Sequence, residues 1–124
     1  MQPATAADLV ILAVAVAPIA AYVYGAMFLG QYTPALAAAQ EIIDTTPEEL
    51  LRIPSPPMAD FIEPFLSMKQ HVLIRFGKWR EIIAQELPKD RDLYCTTTAM
   101  TLYAKGLAHS VLGEIAEAEK ARVA

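Results

Sequence analysis

The side chains that could support catalysis in this sequence are few and far apart. His71 and His109 each lack a second metal ligand three or four residues away, the spacing that places two ligands on one helix face. Cys95 could act as a nucleophile only with a basic neighbour and solvent access, and the adjacent Leu93 and Tyr94 predict burial instead. We therefore predict no metal site and no cofactor.

Motifs for covalent or phosphate chemistry are missing from the sequence as well. Ser67 and Ser110 do not lie in a G-x-S-x-G turn, and the chain contains neither G-x-G-x-x-G nor a phosphate-binding loop. Glu114, Glu117 and Glu119 fall at the start of the last predicted helix, where carboxylates suit the positive end of the helix dipole. The sequence therefore predicts a protein that is not an enzyme.

Composition narrows the remaining classes of function. The chain has 124 residues, a hydrophobic fraction of 55% and a formal net charge of -4. These values fit one domain with a modest core, and they give no basic surface for nucleic acid. The single cysteine excludes an internal disulfide, so the reducing cytoplasm is the expected compartment.

The N-terminal quarter of the chain raises a membrane alternative. Residues 9–30 are almost wholly apolar and are numerous enough to span a bilayer. The first basic residue is Arg52, so this stretch lacks the basic flank that orients membrane helices. A helix covered by neighbouring helices can be equally apolar. A membrane anchor at residues 9–30 is therefore the alternative, and a helix of a stacked array is the favoured interpretation.

A repeated local pattern predicts how the chain is organised. Gly30, Gly77 and Gly113 each follow a large apolar residue, and glycine closes a helix in the left-handed conformation at low steric cost. Two and five residues after each glycine come side chains suited to pack the next helix against the previous one. These predicted packing residues are Tyr32, Ala35, Trp79, Ile82, Ile115 and Ala118. The pattern predicts an all-α fold of about three antiparallel helix pairs.

Helix start and stop signals divide a single domain of residues 1–124 into units. The units span about residues 8–44, 60–86 and 93–124. Residues 45–59 are expected to form an insert with a short helix and a Pro-rich linker. The second unit should open with one helix over residues 60–76, which tolerates Pro64 in its first turn.

Three local features make sharper predictions about helix ends. Thr33, followed by Pro34, is the expected N-cap of the second helix, and Thr46 is expected to open a capping box with Glu49. Pro18 would cost about 3 kcal/mol inside a helix. We therefore expect the first helix to bend or to begin near Pro18.

The third unit carries the residues of a known family pattern. Its segment LYAKGLAHSVLGEIAEAEKAR has Leu102, Gly106, His109 and Ala118 at the spacing of the W-x2-L-G-x2-Y…A pattern. The corresponding residues are Ile19, Val23, Ala26 and Ala35 in the first unit, with Pro47 at the closing proline, and Leu66, Gln70, Leu73 and Ile82 in the second. Over residues 15–124 the chain resembles tetratricopeptide repeat (TPR) proteins, as a fragment or a short, divergent relative.

This resemblance implies an α-solenoid of stacked helix pairs that acts as a non-catalytic scaffold. A peptide or protein segment would bind on the concave face, which the first helix of each pair lines. The partner-binding residues expected there are Lys69, Gln70, His71, Arg75, Thr98, Thr101, Lys105 and His109. We also expect self-association or docking on a larger body through the apolar stretch 6–21 or the last helix.

Overall fold

The computed structural model describes residues 5–124, and every regular element in that range is an α-helix. The all-helical prediction is therefore confirmed. The helices are α1 Ala6–Phe28, α2 Tyr32–Thr45, α3 Glu48–Leu51, α4 Met58–Leu66, α5 Met68–Arg75, α6 Trp79–Ala84, α7 Cys95–Val111 and α8 Ile115–Val123. Residues 1–4 of the predicted domain lie outside the described residues.

Helix α1 begins at a capping box that the sequence analysis missed. The backbone N–H of Asp8 donates to the Thr5 hydroxyl at 3.2 Å, and the backbone N–H of Thr5 donates to the Asp8 carboxylate at 2.8 Å. This reciprocal pair satisfies donors that a helix start leaves free. The helix then continues through Pro18, so a start near Pro18 is wrong. Pro18 lies on the exposed side, where water can satisfy the carbonyl that loses its partner.

Three glycines end α1, α5 and α7 with the same pair of hydrogen bonds. Gly30, Gly77 and Gly113 have φ angles of 70°, 65° and 78°. At each of these corners the glycine N–H donates to the carbonyl three residues earlier, and the next N–H donates to the carbonyl five residues earlier. This is the Schellman motif, which satisfies carbonyls at the helix end. The chain reverses direction at each glycine.

The three corners define three helix pairs. The first helices of the pairs are α1, α5 and α7, and the second helices are α2, α6 and α8. Helix α5 contacts both α1 and α2, and α7 contacts both α5 and α6. Each later first helix therefore packs against both helices of the preceding pair. Fully buried side chains between these helices include Val23, Ala35, Ile42, Leu73, Ile82 and Ala104.

The helix predicted over residues 60–76 is divided in two. Helices α4 and α5 are separated by Ser67, whose hydroxyl donates to the Pro64 carbonyl at 2.6 Å. Such a local side-chain bond competes with the helical ladder. Pro64 also lies well inside α4, which starts at Met58, and not in the first turn as expected. The prediction of one uninterrupted helix is therefore wrong.

Two predicted N-caps do not form. Helix α2 starts at Tyr32, one residue before Thr33, because the corner at Gly30 leads directly into it. The Thr46 hydroxyl donates back to the Ile42 carbonyl at 2.7 Å and leaves α3 without a side-chain cap. Threonine readily forms this bond to a carbonyl four residues earlier, which removes it from the capping role.

A buried carboxylate supplies the cap that α7 lacks locally. Tyr94, the N-cap residue of α7, makes no side-chain cap hydrogen bond. Glu63 of α4 is 3% exposed, and its carboxylate accepts from the N–H of Thr96 at 3.2 Å and of Thr97 at 2.6 Å. A carboxylate at the first turn satisfies free N–H groups and interacts favourably with the helix dipole. Glu63 thus fixes the start of α7 against α4.

The corners contact one another along one edge of the molecule. The rings of Tyr32 and Phe76 meet edge to face with centroids 5.2 Å apart, and Lys78 Nζ lies 4.4 Å from the Tyr32 ring centroid. Arg80 and Glu114 join the second and third corners through a salt bridge of 3.3 Å. The aromatic and cation–π contacts favour this alignment, whereas an exposed salt bridge adds little stability.

Alanine substitutions at Gly113 and Gly25 test the corner geometry. A Cβ at either position has no atom within 4 Å, but Gly113 has a φ of +78° and Gly25 lies within α1. We expect Gly113→Ala to lower the free energy of unfolding by about 1 to 2 kcal/mol, because alanine disfavours the left-handed conformation. Gly25→Ala should raise it by up to about 1 kcal/mol. Urea denaturation measures both, and an unchanged stability of Gly113→Ala would contradict the corner.

Replacement of Glu63 by glutamine tests the tertiary cap of α7. We expect Glu63→Gln to lower the free energy of unfolding by about 2 kcal/mol, because a neutral amide is a weaker acceptor and its NH₂ group faces backbone donors. Glu86→Gln, at an exposed position after α6, is the matched control and should change stability by less than about 0.5 kcal/mol. Denaturation followed by far-ultraviolet circular dichroism compares them, and equal losses would exclude a special role for Glu63.

Candidate binding surface on the first helices

The predicted partner-binding residues do not form one exposed surface. Gln70, Thr98 and Thr101 are 5%, 8% and 2% exposed. Their assignment to an exposed groove is therefore wrong. The register of α5 and α7 directs these three side chains into the space between helix pairs.

Gln70 belongs to a buried network that joins the second pair to α7. Its amide exchanges two hydrogen bonds of 2.9 Å with the Gln85 amide. Gln70 Nε2 also donates to the Thr101 hydroxyl at 3.3 Å, and that hydroxyl donates to the Thr97 carbonyl at 2.7 Å. Buried polar groups are tolerated when they are hydrogen-bonded in this way. Gln70 therefore links helices, and solvent or a partner cannot reach it.

The two predicted lysines also make contacts within the chain. Lys69 Nζ donates to Gln40 Oε1 of α2 at 3.0 Å. Lys105 Nζ donates to the Ile83 carbonyl near the end of α6 at 2.6 Å, and burial lowers the Lys105 pKa. A cation at the carbonyl end of a helix complements the helix dipole. Both lysines lie eight residues before a bend glycine, and both connect to the preceding pair.

His109 is bound to the third corner. Its Nδ1 lies 2.6 Å from a carboxylate oxygen of Glu114, and Arg80 donates to the other oxygen of that carboxylate at 3.3 Å. The hydrogen bond to His109, and then the attraction of Arg80, lower the Glu114 pKa. The His109 side chain is only 15% exposed, so this residue supports the corner and offers little surface to a partner.

His71 and Arg75 are the members of the predicted set that remain on an accessible side of the first helices. The His71 ring lies tilted against the Tyr24 ring with centroids 6.5 Å apart. This contact places α5 beside α1, with Tyr24 and His71 at the same height along the two helices. Arg75 is exposed near the end of α5.

Equal distances from the bend glycines identify further residues beside His71 and Arg75. Tyr24, His71 and Leu107 lie six residues before their glycines, and Phe28, Arg75 and Val111 lie two residues before them. We call these six residues the first-helix face. Tyr24, Phe28 and Val111 are 43%, 80% and 54% exposed. The apolar members were not predicted from the sequence, although their common offset from the glycines identifies them.

The predicted packing residues differ in burial. Ala35 and Ile82 are fully buried, and Tyr32, Trp79 and Ala118 are partly buried. Ile115 is 67% exposed, so its assignment as a packing residue is wrong. It lies at the start of α8, where its side chain lines an open groove between α7 and α8.

Cys95 lies on the surface, and the possible metal ligands among residues 5–124 are dispersed. Cys95 is exposed, so its predicted burial is wrong, because Leu93 and Tyr94 pack against the core and leave the thiol outside. Within residues 5–124, no three His, Cys, Asp or Glu side chains are grouped as a metal ion would require.

Helix α1 has two very different sides. Val16, Ala20, Val23 and Ala26 are buried. Val10, Ile11 and Val14 are 61%, 66% and 65% exposed. Within residues 5–124, α1 is the helix long and apolar enough to cross a membrane, with a mean hydropathy of 2.2 and 17% of its apolar window buried.

Comparison of the chain with protein-family models, with curated proteins and with solved structures finds no match.

Proposed function

We propose that this chain is a TPR-like array of three helical hairpins that binds a protein or peptide segment on its first helices. The observation that carries this proposal is the contact between Tyr24 and His71, which lie at the same distance from successive bend glycines. Equivalent positions of α1 and α5 are thus neighbours in space. Stacked repeats present equivalent side chains in rows on a concave surface, which serves as a docking site.

The first-helix face suits an apolar segment that also carries a negative charge. Phe28 and Tyr24 provide aromatic surface, and Val111 adds an exposed aliphatic side chain. Arg75 lies in the same row as Phe28 and Val111 and can donate to a carboxylate. Aromatic residues and arginine are the side chains that most often dominate binding energy at interfaces.

The same proposal assigns the chain a non-catalytic and cytoplasmic role. The exposed side chains of the first-helix face are aromatic, aliphatic or permanently charged, apart from His71. The titratable groups with the clearest internal contacts, Glu63, Lys105 and Glu114, hold helix ends or a corner in place. The solitary cysteine supports a reducing compartment.

Peptide selection with a matched pair of phenylalanine variants tests the scaffold proposal. A phage-displayed library of random peptides selected on the immobilised chain should yield binders. Phe28→Ala should weaken the best selected peptide roughly tenfold, the loss expected for an exposed aromatic anchor. Phe61→Ala is the control, because Phe61 is 64% exposed on α4 and lies outside the first-helix face. Isothermal titration calorimetry measures both affinities. A library without binders, or equal losses in the two variants, would contradict the proposal.

A membrane anchor formed by α1 is the second candidate function, and the 23-residue length and hydropathy of that helix favour it. Flotation with phosphatidylcholine vesicles tests this candidate. An anchored wild-type chain should float, and Ala17→Arg, at the middle of α1, should reduce flotation strongly because an arginine there costs about 2.5 to 3.5 kcal/mol. Ala37→Arg, at an exposed position of α2, is the control. Recovery of the wild type in buffer would exclude the anchor.

A further inference from the structure

The groove between α7 and α8 is open along its length. It has a volume of about 580 Å³ and an apolar lining that includes Leu102, Tyr103, Gly106, Ile115, Ala118 and Ala121. Helices α7 and α8 are in contact at Gly106, where a Cβ would lie 3.6 Å from that of Ala121. Tyr103 and Ile115 are 59% and 67% exposed at its rim.

The equivalent grooves of the first two pairs are filled by the next first helix. Leu107 corresponds to Tyr24, six residues before a bend glycine, and Tyr24 contacts His71 of α5. Glu119 corresponds to Ile83, six residues after a bend glycine, and the Ile83 carbonyl accepts from Lys105 of α7. The α7–α8 groove is therefore shaped like sites that accept a first helix elsewhere in the same chain.

Helices α4 and α5 together fill the first of those grooves and α7 fills the second, with positions that lie fifteen, twelve, nine and five residues before the bend glycine. In α7 these positions hold the buried residues Thr98, Thr101, Ala104 and Ala108. Before Gly77 they hold Ile62 and Phe65 of α4 and Met68 and Val72 of α5, of which all but the partly buried Phe65 are buried. In α1 they hold Ala15, Pro18, Ala21 and Gly25, and all four are exposed. We call these four residues the leading face of α1.

We propose that the leading face of α1 in one copy of this chain docks into the α7–α8 groove of a second copy. The leading face is small and uncharged, which permits the close approach that helices make in such grooves. Its geometry would repeat the packing of α5 on the first pair and of α7 on the second. The contact joins different surfaces of the two copies, so it is head-to-tail and can continue to further copies.

The structure favours a protein groove over lipid as the occupant of this face. Val16, Ala20 and Val23 of α1 are buried against the rest of the chain, so lipid cannot surround this part of the helix while the chain stays folded. A helix that spans a bilayer exposes apolar side chains around its circumference, whereas a docked helix needs one apolar side. Tyr22 lies eight residues before Gly30, as Lys69 and Lys105 lie eight residues before their own bend glycines. Its hydroxyl can donate to the groove, as the Lys105 ammonium donates to the Ile83 carbonyl.

Two variants test the proposal, one that blocks the leading face of α1 and one that blocks the α7–α8 groove. Ala21→Arg places a charge on the leading face of α1, and Ile115→Arg places one in the groove; both side chains are exposed in the single chain. We expect the wild type to associate with increasing concentration in sedimentation equilibrium, and each variant to associate at least tenfold more weakly. Val123→Arg, at a residue 69% exposed outside the groove lining, is the control and should associate like the wild type.

A mixture of the two blocked variants identifies the head-to-tail contact. Each variant keeps one intact end, so the equimolar mixture should form a dimer of about 27 kDa, twice the 13.5 kDa mass of the chain, and nothing larger. A monomeric wild type, a monomeric mixture, or dimers of either variant alone would overturn the proposal. Flotation of the wild type on phosphatidylcholine vesicles without self-association would assign the face to lipid. Ala15→Arg and Tyr103→Arg repeat the experiment if either first variant fails to fold.

Discussion

The left-handed glycine that follows the first helix of each pair is the constraint on which the rest of this structure depends. Without a Cβ, Gly30, Gly77 and Gly113 adopt positive φ angles, and the chain turns back while two N–H groups satisfy carbonyls of the finished helix. Because the three corners share one geometry, residues at equal distances from them occupy equivalent places. Contacts of Tyr32 with Phe76 and of Arg80 with Glu114 join successive corners.

Between the corners, polar side chains hold the pairs together. Glu63 caps α7, Lys105 binds the end of α6, and Gln70 links the second pair to Thr101. Each of these groups has left water and has gained a hydrogen-bond partner that offsets the loss. Because these groups are bonded inside the fold, the first-helix face consists of aromatic and aliphatic side chains together with His71 and Arg75.

Helix α1 shows how one apolar segment can serve two purposes. Its buried side completes the first pair, and its exposed side repeats the small residues with which α7 packs on the second pair. Packing within the chain explains the buried side of this apolar run, and the proposed head-to-tail contact would cover Ala15, Pro18, Ala21 and Gly25 of its exposed side. The proposed scaffold and the proposed head-to-tail contact would both use the surfaces that stacked helical repeats present to another segment.

The sequence by itself determined the helical class, because that class depends on apolar periodicity. It also determined where α1, α5 and α7 end, because glycine adopts positive φ angles at low steric cost. The Thr5 and Asp8 cap was also readable, since it joins residues three apart. Only the tertiary structure decided which polar residues are buried. Gln70, Thr98 and Thr101 looked exposed because their burial depends on helices distant in sequence, and Glu63 caps a helix more than thirty residues away. Helix-end signals act within one turn of the chain, whereas burial is set by the register in which separate helices meet.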